Sequence, residues 1–245
     1  MAKTVRSGAG HLPGSSGSPP APAGPPPELP HQRRGVTPQM RGRYPDYDVL
    51  AEAEHWDAVT RRLVLERVGA VPPLRFFGAE EARTLGAFCD EVMAQDREPR
   101  IPVLAMVDAK FHAGQLDGFR HQDLPEDPQT WRCVAAGLER AAGAAGCEDG
   151  FHAAPEELRR EIVESFSKGE LDLDGLPAQK AWSVVMRGVT SAFYSHPWAW
   201  NEIGFGGPAY PRGYARIGTG QREHWETPPE FVRDPVEDVP ARGLE

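Results

Sequence analysis

Apolar residues recur at helical spacing along most of the chain from Tyr47 onward. The clearest pattern covers residues 177–194, where side chains three or four positions apart form one apolar face. These side chains are Trp182, Val185, Met186, Val189 and Phe193. The spacing predicts a helix that Pro197 ends, because proline cannot continue a helix from within it.

Five further segments show helical periodicity, and no segment alternates apolar and polar residues as a half-buried strand would. They run over 48–68, from 79 to about 93, over 103–113, from about 128 to 145 and from 155 to about 168. Acidic residues open the second and fifth of them, where they favour the positive end of the helix dipole. The pattern predicts a single all-α domain of about six helices over residues 46–218.

The two ends of the chain differ from this domain in composition. Residues 1–45 contain ten prolines, seven glycines and four serines, with six basic residues against Glu28 alone. So little apolar surface predicts a disordered basic arm. Residues 219–245 read as an acidic, proline-containing tail, and the chain as a whole carries a formal net charge of −9. An acidic body argues against nucleic acid as the main partner.

The sequence also bears on the compartment. The sequence contains no run of about 18 apolar residues, so it predicts no membrane span. Two arginine pairs, Arg33-Arg34 and Arg61-Arg62, lack the apolar stretch that follows the twin arginine of an export signal. Three cysteines are too few for a disulfide framework, and Cys89 falls on an apolar helix face, where an inert thiol is expected. We therefore expect a cytoplasmic protein, or a periplasmic one if a partner carries it.

The segment over residues 196–214 is the strongest functional signal. It holds five aromatic residues, four glycines and three prolines, and it contains no nucleophile, metal-ligand cluster or phosphate cradle. Stiff aromatic side chains on a constrained backbone favour recognition over chemistry, although such a loop can equally close over the protein's own core. Asn201 could likewise satisfy backbone donors of the loop itself. The predicted partner-binding residues, with the two tryptophans as first anchors, are Trp198, Trp200, Asn201, Phe205, Tyr210 and Tyr214.

A metal site is an alternative from a different functional class. Asp108 and His112 are four residues apart on a predicted helix, and Asp117 and His121 repeat the spacing. Four such ligands could hold a divalent metal in a free-standing enzyme. An Asp–His pair at this spacing is also a common surface ion pair, and Gly114 between the pairs makes their convergence difficult. A general helical scaffold, whose basic arm tethers an acidic partner, is a third possibility.

The order of the elements and the sequences AFYSHP at 192–197 and NEIGFGGP at 201–208 resemble the gluconate 2-dehydrogenase subunit 3 family. The resemblance covers about residues 46–218, and the C-terminal loop carries most of it. Members of this family are the small, non-flavin subunits of bacterial sugar and polyol dehydrogenases.

The resemblance implies a non-catalytic accessory subunit, with no cofactor and no catalytic residue in this chain. FAD would be held by a large partner subunit of the glucose-methanol-choline type, and a multihaem cytochrome c could form a third subunit. The small subunit would stabilise the flavoprotein and assist its maturation or export.

Overall fold

The computed structural model describes residues 47–227, apart from residues 97, 119, 219 and 220. All regular secondary structure in this part of the chain is helical, which confirms the predicted all-α fold. Two 3-10 helices span Val49–His55 and Phe151–Ala153. The α-helices are α1 Ala58–Gly69, α2 Ala79–Val92, α3 Val103–His112, α4 Asp127–Ala144, α5 Glu156–Ser167, α6 Ala178–Phe193 and α7 Pro197–Ile203. The predicted arm and most of the predicted tail lie outside the described residues.

The main core lies between helices α2 to α6. Helix α6 packs against α3, α4 and α5, and α2 packs against the same three helices. The apolar face predicted for α6 points into this core, where Val185, Val189 and Phe193 are buried. Gly188 lets α4 approach closely, because a Cβ atom there would lie 2.8 Å from the Trp131 ring.

A second, smaller apolar cluster attaches the first helices to the rest of the chain. The first 3-10 helix, its C-cap residue and α1 contribute six buried side chains, and Trp200 of α7 completes the cluster. The six are Val49, Leu50, Ala53, Trp56, Val64 and Leu65. Because α1 packs mainly against α7, the position of α7 decides how the first helices sit on the main bundle.

The structure divides the helix predicted over residues 48–68 into two. The Asp48 carboxylate accepts a hydrogen bond from the Leu50 amide at 2.9 Å, and the Asp57 carboxylate accepts one from the Thr60 amide at 2.7 Å. Each aspartate thus caps its own helix, and the backbone is extended at Trp56 and Asp57 between them.

Helix α7 forms where the sequence predicts an irregular loop. The His196 Nδ1 atom accepts a hydrogen bond from the Trp198 amide at 3.2 Å, and Pro197 occupies the first turn. Proline is favoured there because that amide needs no helical partner. Gly204 ends the helix with a φ of 69°, a left-handed conformation that glycine adopts without steric cost.

None of the helices in the described ranges is both long and apolar enough to cross a bilayer.

Candidate protein-binding surface

The two predicted tryptophan anchors are buried inside the protein. Trp198 is 1 % exposed and belongs to the main core, whereas Trp200 is 5 % exposed and belongs to the second cluster. The Trp200 indole N–H donates to the Tyr194 carbonyl oxygen at 2.6 Å. The expectation that these rings present contact area to a partner is corrected, because the chain's own helices already cover them.

Asn201 is also an internal structural residue. Its Oδ1 atom accepts a hydrogen bond from the Val49 amide at 2.8 Å, and its Nδ2 atom donates to the Asp48 carboxylate at 3.5 Å. The side chain therefore ties α7 to the start of the first 3-10 helix. The prediction of Asn201 as a contact residue is corrected in the same way. Its side chain does accept from a backbone amide, but that amide belongs to Val49, whereas the sequence suggests a donor of the loop itself.

The other three predicted contact residues lie at the surface. Tyr210 is 67 % exposed, and Phe205 and Tyr214 are also exposed. Two large apolar side chains of the same stretch, Tyr194 and Ile203, join them. We call these five side chains the 194–214 surface. Their role in binding a partner stays a prediction.

Arg212 holds the loop beneath this surface. Its Nη1 atom donates to the Glu52 carboxylate at 2.8 Å, and its Nη2 atom donates to the carbonyl oxygens of Gly206 and Pro208 at 2.9 and 3.0 Å. The guanidinium also lies over the Trp225 ring, 4.0 Å from the ring centroid. The mostly buried guanidinium thus fixes the loop against both ends of the described chain.

Residues beyond the predicted domain boundary at residue 218 complete the loop. Trp225 is buried and packs against Tyr214, with the ring centroids 4.9 Å apart. The Glu223 carboxylate accepts hydrogen bonds from the Ala215 and Arg216 amides at 2.6 and 2.5 Å. The packed part of the chain therefore extends to Thr227, whose hydroxyl donates to the Gly204 carbonyl oxygen at 2.8 Å.

Tyr47 connects the loop to the start of the described chain. Its hydroxyl donates to the Phe205 carbonyl oxygen at 3.4 Å. Burial, together with the nearby Glu52 carboxylate, raises the pKa of Tyr47 to about 12. The phenol therefore stays protonated and remains a hydrogen-bond donor to the loop at physiological pH.

His196 is the titratable group at the start of α7. Burial, with a smaller contribution from the Arg67 charge, lowers the pKa of His196 to about 4. Its Nδ1 atom accepts the Trp198 amide proton, so the ring is neutral and carries its proton on Nε2. A charged imidazolium would lose this acceptor and would place a cation beside the core.

We expect the protein to become less stable as the pH falls through the range in which His196 titrates. The pKa is 6.5 in an unfolded chain and about 4 in the native protein, so the unfolded chain binds more protons between these values. The free energy of unfolding should drop by about 2–3 kcal/mol as the pH falls from 6.5 to 4 and then level off for this group. His196→Asn keeps an N-cap acceptor without titrating in this range. Urea denaturation across pH should give a smaller drop for His196→Asn than for wild type, and equal drops would refute the assignment.

The structure corrects the metal-site alternative. The buried Asp108 carboxylate accepts hydrogen bonds from the amides of Arg75, Phe76 and Phe77 at 2.7, 3.0 and 2.9 Å. It therefore faces the backbone of the segment before α2, whereas His112 is exposed. The carboxylate fixes that segment and leaves no pair of ligands with His112.

Asp117, from the second predicted pair, is engaged in ion pairs. The Asp117 carboxylate pairs with Lys110 and, at 3.1 Å, with Arg187. No group of three or more His, Cys, Asp or Glu side chains within the described residues could hold a metal ion. Asp117 and His121 thus do not meet Asp108 and His112 at a common centre.

Cys89 is buried, as predicted, and burial raises the pKa of its thiol.

Comparison with known proteins identifies the family. The model of gluconate 2-dehydrogenase subunit 3 matches residues 79–207, which is more than half of the chain and includes α2 to α7. The chain therefore belongs to the gluconate 2-dehydrogenase subunit 3 family. No curated protein and no solved structure matches the chain. The family is a subunit of a dehydrogenase complex, which implies a partner chain.

Proposed function

We propose that this chain is a non-catalytic accessory subunit that binds and stabilises the FAD-containing large subunit of a sugar or polyol dehydrogenase. The partner is of the glucose-methanol-choline type, and it supplies the FAD and the substrate site. A cytochrome c subunit completes the electron path where one is present. The observation that carries this proposal is the 194–214 surface, which presents exposed aromatic rings on a loop fixed from beneath.

The rigidity of the loop supports a role in binding. Phe205 packs edge-on against the buried Trp200 with ring centroids 5.5 Å apart, and Tyr214 packs against Trp225. Arg212 joins the loop backbone to Glu52. Rings that are already ordered lose little conformational entropy when a partner covers them, so more of the contact energy appears as affinity. Tyrosine and phenylalanine are also among the residues enriched at the centres of interfaces.

Two carboxylates that the sequence predicts as metal ligands, Asp108 and Asp117, have structural contacts instead. Asp108 holds three backbone amides, and Asp117 pairs with Lys110 and Arg187. Each group has a task in the fold, and neither belongs to a group of three or more potential metal ligands among the described residues. A subunit that contributes contact surface and no chemistry agrees with this use of its charged residues.

The test is binding to a purified FAD-dependent large subunit of a sugar or polyol dehydrogenase. A triple variant, Phe205→Ser, Tyr210→Ser and Tyr214→Ser, should raise the dissociation constant about tenfold or more. Binding is weaker because three exposed rings lose their contacts with the partner. Isothermal titration with the purified flavoprotein gives the constant. Flavin absorbance should accompany the complex and be missing from the small subunit purified alone.

A matched control comes from another exposed apolar side chain. Leu74 lies in the connector after α1 and outside the 194–214 surface. Leu74→Ser should leave the dissociation constant within about twofold of wild type. If the triple variant binds as tightly as Leu74→Ser, the 194–214 surface does not hold the partner.

A further inference from the structure

A cleft of about 760 Å³ separates α1 from α3 and α6. Its walls are mainly apolar, with Phe111 and Trp131 on the side of the main core and Leu63 on the side of α1. Ser195, the residue before the N-cap of α7, also lines the cleft. The cleft thus runs beside the 194–214 surface, since Tyr194 and Ser195 are neighbours in the chain.

The cleft exists because α1 faces away from the main bundle. Val64 and Leu65 point into the second cluster, where they meet Trp200. The opposite face of α1 carries Leu63, which is 48 % exposed although it lines the cleft, and Val59 one turn before it is exposed as well. The helix therefore offers an apolar stripe that no described part of the chain covers.

Apolar surface continues across the mouth of the cleft. Leu116 is exposed and directly follows Gln115, which lines the opposite wall. Exposed apolar side chains, Leu116 on one side and Leu63 with Val59 on the other, extend the apolar area beyond the enclosed volume. A polypeptide segment can cover rims and floor together, whereas a small ligand enclosed by the cleft would leave the rims in water.

The charges of the cleft indicate the chemistry of the segment. On the wall of the main bundle, Arg187 pairs with Asp117 and Asp127, at 3.1 Å in each case, and Lys110 also pairs with Asp117, so two cations balance two carboxylates. On the α1 wall, Glu66 lies 3.8 Å from Arg62. Arg67 donates to the Ser195 carbonyl oxygen at 2.9 Å, and no carboxylate of the described residues lies within ion-pair distance of it. A carboxylate on the occupant would complement this guanidinium.

We propose that the cleft receives an apolar segment of the large partner subunit that carries an acidic side chain opposite Arg67. The inference rests on the proposed function, because it requires that partner. It adds a second contact region, formed by α1, α3 and α6, next to the 194–214 surface. One partner chain can cover both regions, since Tyr194 and Ser195 connect them.

The first test compares charge variants by their affinity for the purified flavoprotein. Leu63→Glu and Arg67→Glu should each raise the dissociation constant about tenfold or more. Leu63→Glu places a charge in the apolar contact, and Arg67→Glu repels the carboxylate of the partner. Leu74→Glu and Arg75→Glu make the same changes on exposed residues outside the cleft lining, and they should stay within about twofold of wild type. Urea denaturation of all four variants checks that each is folded.

The outcomes separate the two proposals. If wild type binds the flavoprotein and both cleft variants bind equally well, the cleft proposal fails and the proposed function stands. If wild type does not bind at all, the proposed function fails and the cleft proposal fails with it. If Leu63→Glu and Arg67→Glu weaken binding and the two control variants do not, the result supports both the cleft proposal and the proposed function.

A photocrosslinker in place of Leu63 identifies the occupant directly. The full chain with p-benzoylphenylalanine at this position, irradiated in the complex, should form an adduct with the large subunit. Mass spectrometry should locate the adduct in an apolar peptide that contains an acidic residue. An adduct with residues 1–46 or 228–245 of this chain, with a second copy of it, or with a peptide that lacks an acidic residue would overturn the proposal.

Discussion

Truncating Trp198 to alanine is expected to lower the free energy of unfolding by about 3–5 kcal/mol. The indole is 1 % exposed and packs in the main core at the start of α7, so its removal leaves a cavity that the neighbouring helices cannot fill. Part of the loss is the hydrophobic contribution of the ring, and part is the dispersion contacts of the atoms that lined it. Urea denaturation at neutral pH measures the change.

A surface ring from the same stretch provides the control. Tyr210→Ala should change the free energy of unfolding by no more than about 0.5 kcal/mol, because the ring is largely in water. If Trp198→Ala lost affinity for the flavoprotein and kept the stability of wild type, Trp198 would be a contact residue and its burial in the fold would be refuted.

The two tryptophans show how α7 joins the two apolar clusters. Trp198 enters the main core and Trp200 enters the second cluster, although one residue separates them. A single turn of helix places side chains two positions apart on different faces, so α7 can bury both rings at once. The 194–214 surface and the cleft both adjoin this helix, and their geometry depends on it.

The sequence predicts most of the bundle because the bundle is built from repeated local patterns. On α2, Leu85 and Phe88 fall on one face at helical spacing, and both are buried. Trp131 of α4 and Phe166 of α5 follow the same rule. A helix with one apolar face has to bury it against other helices, so periodicity indicates both the element and the direction of its packing.

Composition does not distinguish an aromatic side chain in a core from one at an interface, since both environments favour it. This explains why the prediction for Trp198 and Trp200 is wrong while the exposed Phe205 and Tyr210 remain candidates. What separates the two groups is α7, a helix of seven residues, too short for a periodic signal.

The contacts that shape the surface also lie far apart in the sequence. Arg212 meets Glu52 across 160 positions, and Asn201 meets Val49 across 152. No local pattern marks either pair, because each contact depends on the complete fold. Trp225, an aromatic residue in the stretch assigned to the tail, is a sequence signal that the packed loop continues beyond residue 218.

Replacing Asp108 with alanine is expected to cost about 3–5 kcal/mol of stability, because the amides of Phe76 and Phe77 lose their shared acceptor and the Arg75 amide loses a partner nearer the surface. Asp108→Asn should lie between wild type and alanine, since one amide oxygen can accept only part of these bonds. His112→Ala removes the exposed side chain of the same sequence pair and should stay within about 0.5 kcal/mol of wild type. Urea denaturation of the three variants, with and without a metal chelator, measures these changes. A large loss in Asp108→Ala that the chelator reproduces in wild type would restore the metal site, whereas a loss confined to Asp108 shows that this carboxylate holds the backbone before α2.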